Sequence, residues 1–189
     1  MQISFREFIT ALHGMGFGAF FLLTFSGMLF ELRRLCAPGG APAFDVGSGR
    51  LLHAYLVSLC VLGWVAVLSG AYFVYPWYRA HPPAGTVDLG EFAQRKLMSN
   101  PATAGWHNIG MEWKEHVAWF APIAMTMVAF VMIRYGKDLS RQPQLRKAVY
   151  CFAGAAFLAA GIAGLFGAML NKNAPVQGGA TIVISGGGK

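Results

Sequence analysis

Charge is what this chain of 189 residues has least of: 12% of them are Asp, Glu, Lys or Arg, where soluble domains carry about 25%. With 56% hydrophobic residues and a mean hydropathy of +0.49, that shortage excludes an ordinary soluble domain. Four windows hold no charged residue at all, roughly 8–30, 51–76, 116–133 and 148–170. Each approaches the roughly 20 residues with which a helix crosses a hydrocarbon core of about 30 Å. A closed β-barrel is the only other spanning solution, and its period-two alternation is missing from these windows. Cysteine is scarce as well: Cys36 falls in a loop, Cys60 and Cys151 fall inside spans, and no pair has an evident disulfide role. There is no C-x-x-C-H, which excludes covalent c-type haem attachment.

The expected fold is an all-α integral membrane protein. Residues 1–170 form one domain of four transmembrane helices in an up-down bundle, with a long outer loop between the second and third and residues 171–189 as an outer-side tail. A removable signal peptide has an apolar core of about 7–15 residues. The first window is longer and ends in Glu31, Arg33 and Arg34, so it reads as a span. Basic residues stay on the cytoplasmic side during insertion. The first connection holds Arg33, Arg34 and Arg50, and the third holds Arg134, Lys137, Arg141, Arg146 and Lys147. In the second, Arg79, Arg95, Lys96 and Lys114 are countered by Asp88, Glu91, Glu112 and Glu115. Both termini and the long loop are therefore expected on the outer, periplasmic side of a cell (inner) membrane. The net charge of +7 is then largely topology signal, strengthened by anionic lipid, and requires no nucleic acid.

Three of the four spans open with a histidine: His13, His53 and His116. The first and third helices run inward from the outer face, so His13 and His116 share the outer leaflet. His53, on a helix of opposite direction, stands at the cytoplasmic end. Two neutral imidazoles facing each other from two helices suit a low-spin haem iron held between apolar walls. Gly14, Gly16 and Gly18 follow His13 and leave room for a flat macrocycle or a close helix, while Phe17, Phe20 and Phe21 supply apolar walls. In these residues the chain resembles the membrane-embedded b-type cytochromes with four-helix haem-binding bundles. That resemblance implies His13 and His116 as axial ligands of an outer haem b, with Gly14 and Gly18 as haem clearance. A two-haem bundle has four histidines in its spans, and here the inner partner of His53 is missing. Laying the two halves of the chain over each other puts Tyr150 at its place. His53 therefore reads either as an inner ligand with a nonstandard partner, as the single ligand of a chlorophyll-type pigment, or as an interfacial side chain.

The entry to the third span is rich in polar groups, Glu112-Trp113-Lys114-Glu115-His116. Glu112 and His116 share a helical face, so the carboxylate is placed to orient the imidazole or to take protons from a quinol. Trp113, Trp119 and Lys114 read as an interfacial anchor, and Pro122 as a kink. In the long loop, Asp88 to Met98 reads as an amphipathic surface helix with Leu89, Phe92 and Leu97 on its apolar side. His81 and His107 add outer-side imidazoles, but no tight metal spacing such as H-E-x-x-H is present. Gly154, Gly161, Gly164 and Gly167 in the fourth span point to close packing. Ala180 to Ser185 is a short β-prone run that would pair with a partner strand or stay unordered.

Taken together, these features point to a membrane subunit of an electron-transfer complex rather than a stand-alone enzyme. Its b-type haem would carry electrons between the quinone pool and an outer-face redox partner. The alternative is a non-catalytic anchor subunit of a larger redox or photosynthetic complex, holding chlorophyll-type pigment through single histidines.

Overall fold

The structure is a computed structural model and describes residues 2–39 and 49–183. Four helices make up most of it: α1 (Phe5–Cys36), α2 (Arg50–Tyr78), α3 (Pro101–Asp138) and α4 (Pro143–Asn173). All four are long and apolar enough to cross a membrane, and on that ground the chain is a multi-pass membrane protein. The helices outrun the charge-free windows because Lys, Arg, Glu and Gln at their ends are good helix formers.

The largest departure is α3, which begins at Pro101 rather than near 116. Asn100 starts it, its side chain accepting from the Ala102 amide at 2.9 Å, with Pro101 as the first helical residue. Proline suits that position because its missing N–H has no helical partner there. Trp106-His107-Asn108, part of the expected long outer loop, is therefore helical. At the start of α1, Ser4 Oγ accepts from the Glu7 amide (3.2 Å), and the Ser4 amide donates to the Glu7 carboxylate (2.9 Å). This reciprocal cap satisfies two orphan donors at once.

In the packing, α1 lies against α2 and α4, and α3 against the same two helices. The core between them holds Phe25, Met28 and Leu32 of α1, Leu56 and Leu59 of α2, Met125 and Val128 of α3, and Val149 of α4, all fully buried or nearly so. Ala153, Ala156 and Ala159 bring α4 close to α3; small residues permit such an approach. Polar bonds stitch helix to helix: Tyr55 donates to the Thr24 carbonyl, and Trp64 Nε1 to Thr126 Oγ1 at 3.1 Å. Leu23, Phe30, Phe130 and Leu158 face outward and are exposed, which hydrocarbon tolerates because lipid tails are as apolar as leucine.

One end of the structure carries a second apolar cluster, in which Tyr78, Met111, Leu170, Ala174 and Val176 enclose Ala93 and Leu97. Those last two belong to a short helix, Ala93–Met98, so the apolar side of the expected surface helix is turned to protein. At the same end, β1 (Gln2–Ser4) and β2 (Thr181–Val183) form an antiparallel pair with Ile3 opposite Ile182. The β-prone tail thus finds its backbone partner within its own chain instead of on another protein. The Phe5 amide extends the pairing by donating to Ala180 O at 2.8 Å. Ile184 and Ser185 of that run lie outside the described residues. Two strands of this length are marginal alone; anchoring by the adjoining helix ends removes most of the closure cost. The pairing sets both chain ends at one end of the helices, here called the terminal end. Ser4→Ala is expected to destabilise the first turn of α1 by about 1 kcal/mol, measured as faster hydrogen exchange at the Glu7 amide with unchanged exchange in α3.

Candidate functional site

Near the terminal end three of the four helices leave α-helical geometry. π-helical stretches run over Leu12–Ala19 in α1, Gly70–Val74 in α2, and Trp106–Met111 and Trp113–Val117 in α3. Such turns are rare, and they occur often at functional sites. The local sequence explains part of this. Glycine relaxes the backbone at Gly14, Gly16, Gly18, Gly70 and Gly110. Proline at 122 has no amide with which to continue the ladder, and the Ala121 amide turns back to Ala118 O (3.1 Å) where the stretch in α3 ends.

His13 sits in the first of these stretches, half-buried, and its Nδ1 lies 3.0 Å from Ser69 Oγ. Ser69 Oγ donates to Ala66 O at 3.0 Å, so its lone pairs are left to accept from the ring. Both bonds are satisfied together in the Nδ1–H tautomer, which leaves Nε2 unprotonated; no hydrogen bond to Nε2 is formed among the described residues. Gly70 admits the ring: a Cβ there would stand 2.7 Å from His13 Cε1.

Three consecutive residues of α3 take three different directions. Lys114 reaches α4, where its Nζ donates to Ala163 O at 3.4 Å and lies 3.1 Å from the place a Cβ on Gly167 would take. Glu115 turns to α2 and accepts from Tyr75 OH through Oε2 at 3.0 Å, while its Oε1 is buried with no partner among the described residues. His116 points outward. Its side chain is 69% exposed, with Nδ1 at 3.0 Å from Glu112 O and 3.5 Å from the Glu112 carboxylate. With Lys114 directed at α4 and Glu115 at α2, His116 is left on the outer surface.

Beyond Glu115 the network continues toward the terminal end. Tyr78 OH is 2.8 Å from Nδ1 of the buried His107, and Gln94 Nε2 is 3.2 Å from its Nε2. The Arg79 guanidinium lies over the Tyr75 ring, 5.5 Å from its centroid. Trp113, expected as an interfacial anchor, instead donates to Ala159 O at 3.2 Å and packs on Phe166 of α4. The cause is the early start of α3, which puts this residue inside the helix packing and not at its entry.

The residues singled out from the sequence fall in separate places. His13 faces α2, while His116 and Glu112 share an exposed face of α3. No hydrogen bond or ring contact joins His13 to His116 among the described residues. Beside Gly14 the space is open and faces outward, and Gly18 packs against the carbonyl of His13. Phe21 lies buried against Gly63 of α2, whereas Phe20 is exposed. His53 is exposed at the start of α2, the end opposite to His13. Tyr150 is also exposed, and among the described residues His81 is hydrogen-bonded to the Arg95 guanidinium (3.2 Å). Among the described residues no three His, Cys, Asp or Glu side chains come together to hold a metal ion. Ser69 and Gly70 are the site residues that sequence reasoning passed over; Lys114, Glu115 and Gly167 were singled out, but as a polar helix entry and a packing glycine and not as groups turned inward. The signal available was a Ser-Gly pair inside a charge-free span and a Lys-Glu pair directly before a histidine.

No family model, curated protein or solved structure matches this chain. The site therefore stands on its geometry. Gly70→Ala is expected to drive the imidazole of His13 off Ser69, read in ring ¹⁵N NMR as loss of the single Nδ1–H tautomer, while Gly154→Ala, where nothing lies within 4 Å of the added carbon, leaves that signal unchanged.

Proposed function

We propose that this chain is a membrane subunit of an electron-transfer complex, working between the quinone pool and a redox partner at the outer face. The observation that carries the reading is His13: an imidazole within a span, bonded through Nδ1 to Ser69, which in its Nδ1–H tautomer offers Nε2 as an acceptor. Ionisable groups inside a membrane bundle mark ion, proton or substrate pathways, and Lys114 and Glu115 turn inward near the same end. Oxidation of a quinol to a quinone removes two electrons and two protons. In this reading the electrons go to the outer-face partner, one proton to His13 Nε2 and one to the Glu115 carboxylate. The helix ends and the turn at the opposite end hold Arg33, Arg34, Arg134, Lys137, Arg141, Arg146 and Lys147, which favours the cytoplasm for that end. The terminal end then faces outward, and the four helices alternate in direction as an up-down bundle.

A b-type haem is the second reading, favoured by the same residue. An axial histidine usually donates its other ring N–H to a nearby acceptor, as His13 does to Ser69. When bound, a haem supplies a one-electron carrier whose potential the surrounding residues tune. His116 does not fit as the opposing ligand, because its side chain lies on the outer surface.

Two measurements test these readings. Native membranes deprived of this chain are expected to lose quinol-driven reduction of an outer-side acceptor; an unchanged rate overturns the electron-transfer reading and leaves a non-catalytic anchor. For the haem, any reduced-minus-oxidised α band of the purified chain is expected to vanish in His13→Ala and survive in His116→Ala. Equal loss in both restores the facing pair, and a colourless chain removes the haem from the reading.

A further inference from the structure

Between α1 and α2 runs an apolar groove of about 410 Å³, open along one side. Phe17, Phe20 and Thr24 line it from α1, and Val57, Ser58, Val61 and Val65 from α2, with Tyr55 at the end away from His13. The three valines fall on successive turns of α2, and the next turn brings Ser69 and Gly70. From Val57 to Ser69 the helix advances about 18 Å. On α1, Phe17 is likewise one turn from His13. The groove therefore leads along both helices to the notch where His13 lies against Gly70.

We propose that this groove holds the isoprenoid chain of a membrane quinone, with the quinone ring at His13. The proposal rests on the electron-transfer reading and supplies it with a binding site. Chemistry selects the occupant. A long, mostly apolar lining asks for a chain, and one helical turn beyond its last residues, Phe17 and Val65, stands His13, whose Nε2 is a neutral acceptor in the Nδ1–H tautomer on two helices that carry no charge in this stretch. A phospholipid of similar length has a charged headgroup, which must stay hydrated at the membrane surface. A quinol needs only a neutral hydrogen-bond partner for its ring hydroxyl, and the unprotonated Nε2 is such an acceptor. The open side gives entry from the bilayer, so a ligand confined to the membrane reaches the ring without passing through water.

The test uses the full chain in phosphatidylcholine nanodiscs with a photoreactive azido-quinone bearing an isoprenoid tail. Crosslinks are expected on residues 13–24 and 57–69, displaced by excess tail-bearing quinone and not by added phospholipid. Val61 is 56% exposed, so Val61→Trp fills the groove without disturbing the core. That variant is expected to lower labelling about tenfold, which corresponds to about 1.4 kcal/mol, at unchanged thermal stability. Crosslinks spread evenly over all four helices, displacement by phospholipid, or labelling indifferent to Val61→Trp overturns the groove as the site. The quinol-driven rate in native membranes separates the two claims. A rate that depends on the chain while crosslinks avoid the groove overturns the site alone. A rate indifferent to the chain overturns the electron-transfer reading whatever the groove holds.

Discussion

Hydrocarbon gives no hydrogen bonds, so each polar group placed in it must find a partner on the protein itself. That constraint organises this molecule. Helices satisfy their own backbones, and the remaining polar side chains are answered from the next helix along: Tyr55 by the Thr24 carbonyl, Trp64 by Thr126, His13 by Ser69, Glu115 by Tyr75 and Lys114 by the Ala163 carbonyl. The π-helical stretches fit the same logic. A wider turn loosens the regular ladder, and it occurs where neighbouring helices bring donors and acceptors within reach. Among the described residues one buried oxygen breaks the pattern, Glu115 Oε1. Unanswered polar atoms in a low-dielectric interior are costly, which is why they are the places to look for a bound proton or ligand.

Glycine sets the geometry of that end as much as the polar residues do. Gly70 opens a seat for an imidazole and Gly167 one for an ammonium group, in each case from the helix facing the polar side chain. Neither side chain would keep its position if the facing glycine gained a methyl group without movement nearby. The site is thus built by pairs of residues on different helices, one supplying chemistry and the other supplying room.

The spans were legible in the sequence because lipid solvation demands long charge-free runs, and each of the four windows lies inside one helix. Their ends were less legible, since polar residues continue a helix as readily as they leave it; α3 starts at Pro101 for that reason. The depth of a residue in the membrane follows from its distance along the chain. Its azimuth around the helix does not, and this is where reasoning about His13 and His116 reached its limit. Both stand toward the same end, yet one ring points at α2 and the other away from the packed helices. The inward turn of Lys114 and Glu115 was hidden by the same ignorance, because which side of α3 meets α2 and α4 is decided by packing over its whole length. Glu112 and His116 share a face as four-residue spacing implies, which shows that local geometry survives where tertiary direction does not.

The short β pair has a consequence for how the chain is held as a whole. By joining Gln2–Ser4 to Thr181–Val183, it turns a linear run of four helices into a loop closed by backbone hydrogen bonds. The last strand therefore supports the first helix: Ser4 belongs both to the pair and to the cap of α1. Trimming the chain at its far end acts on the beginning of the fold, and two proteins fused to the two ends would be neighbours on one side of the membrane.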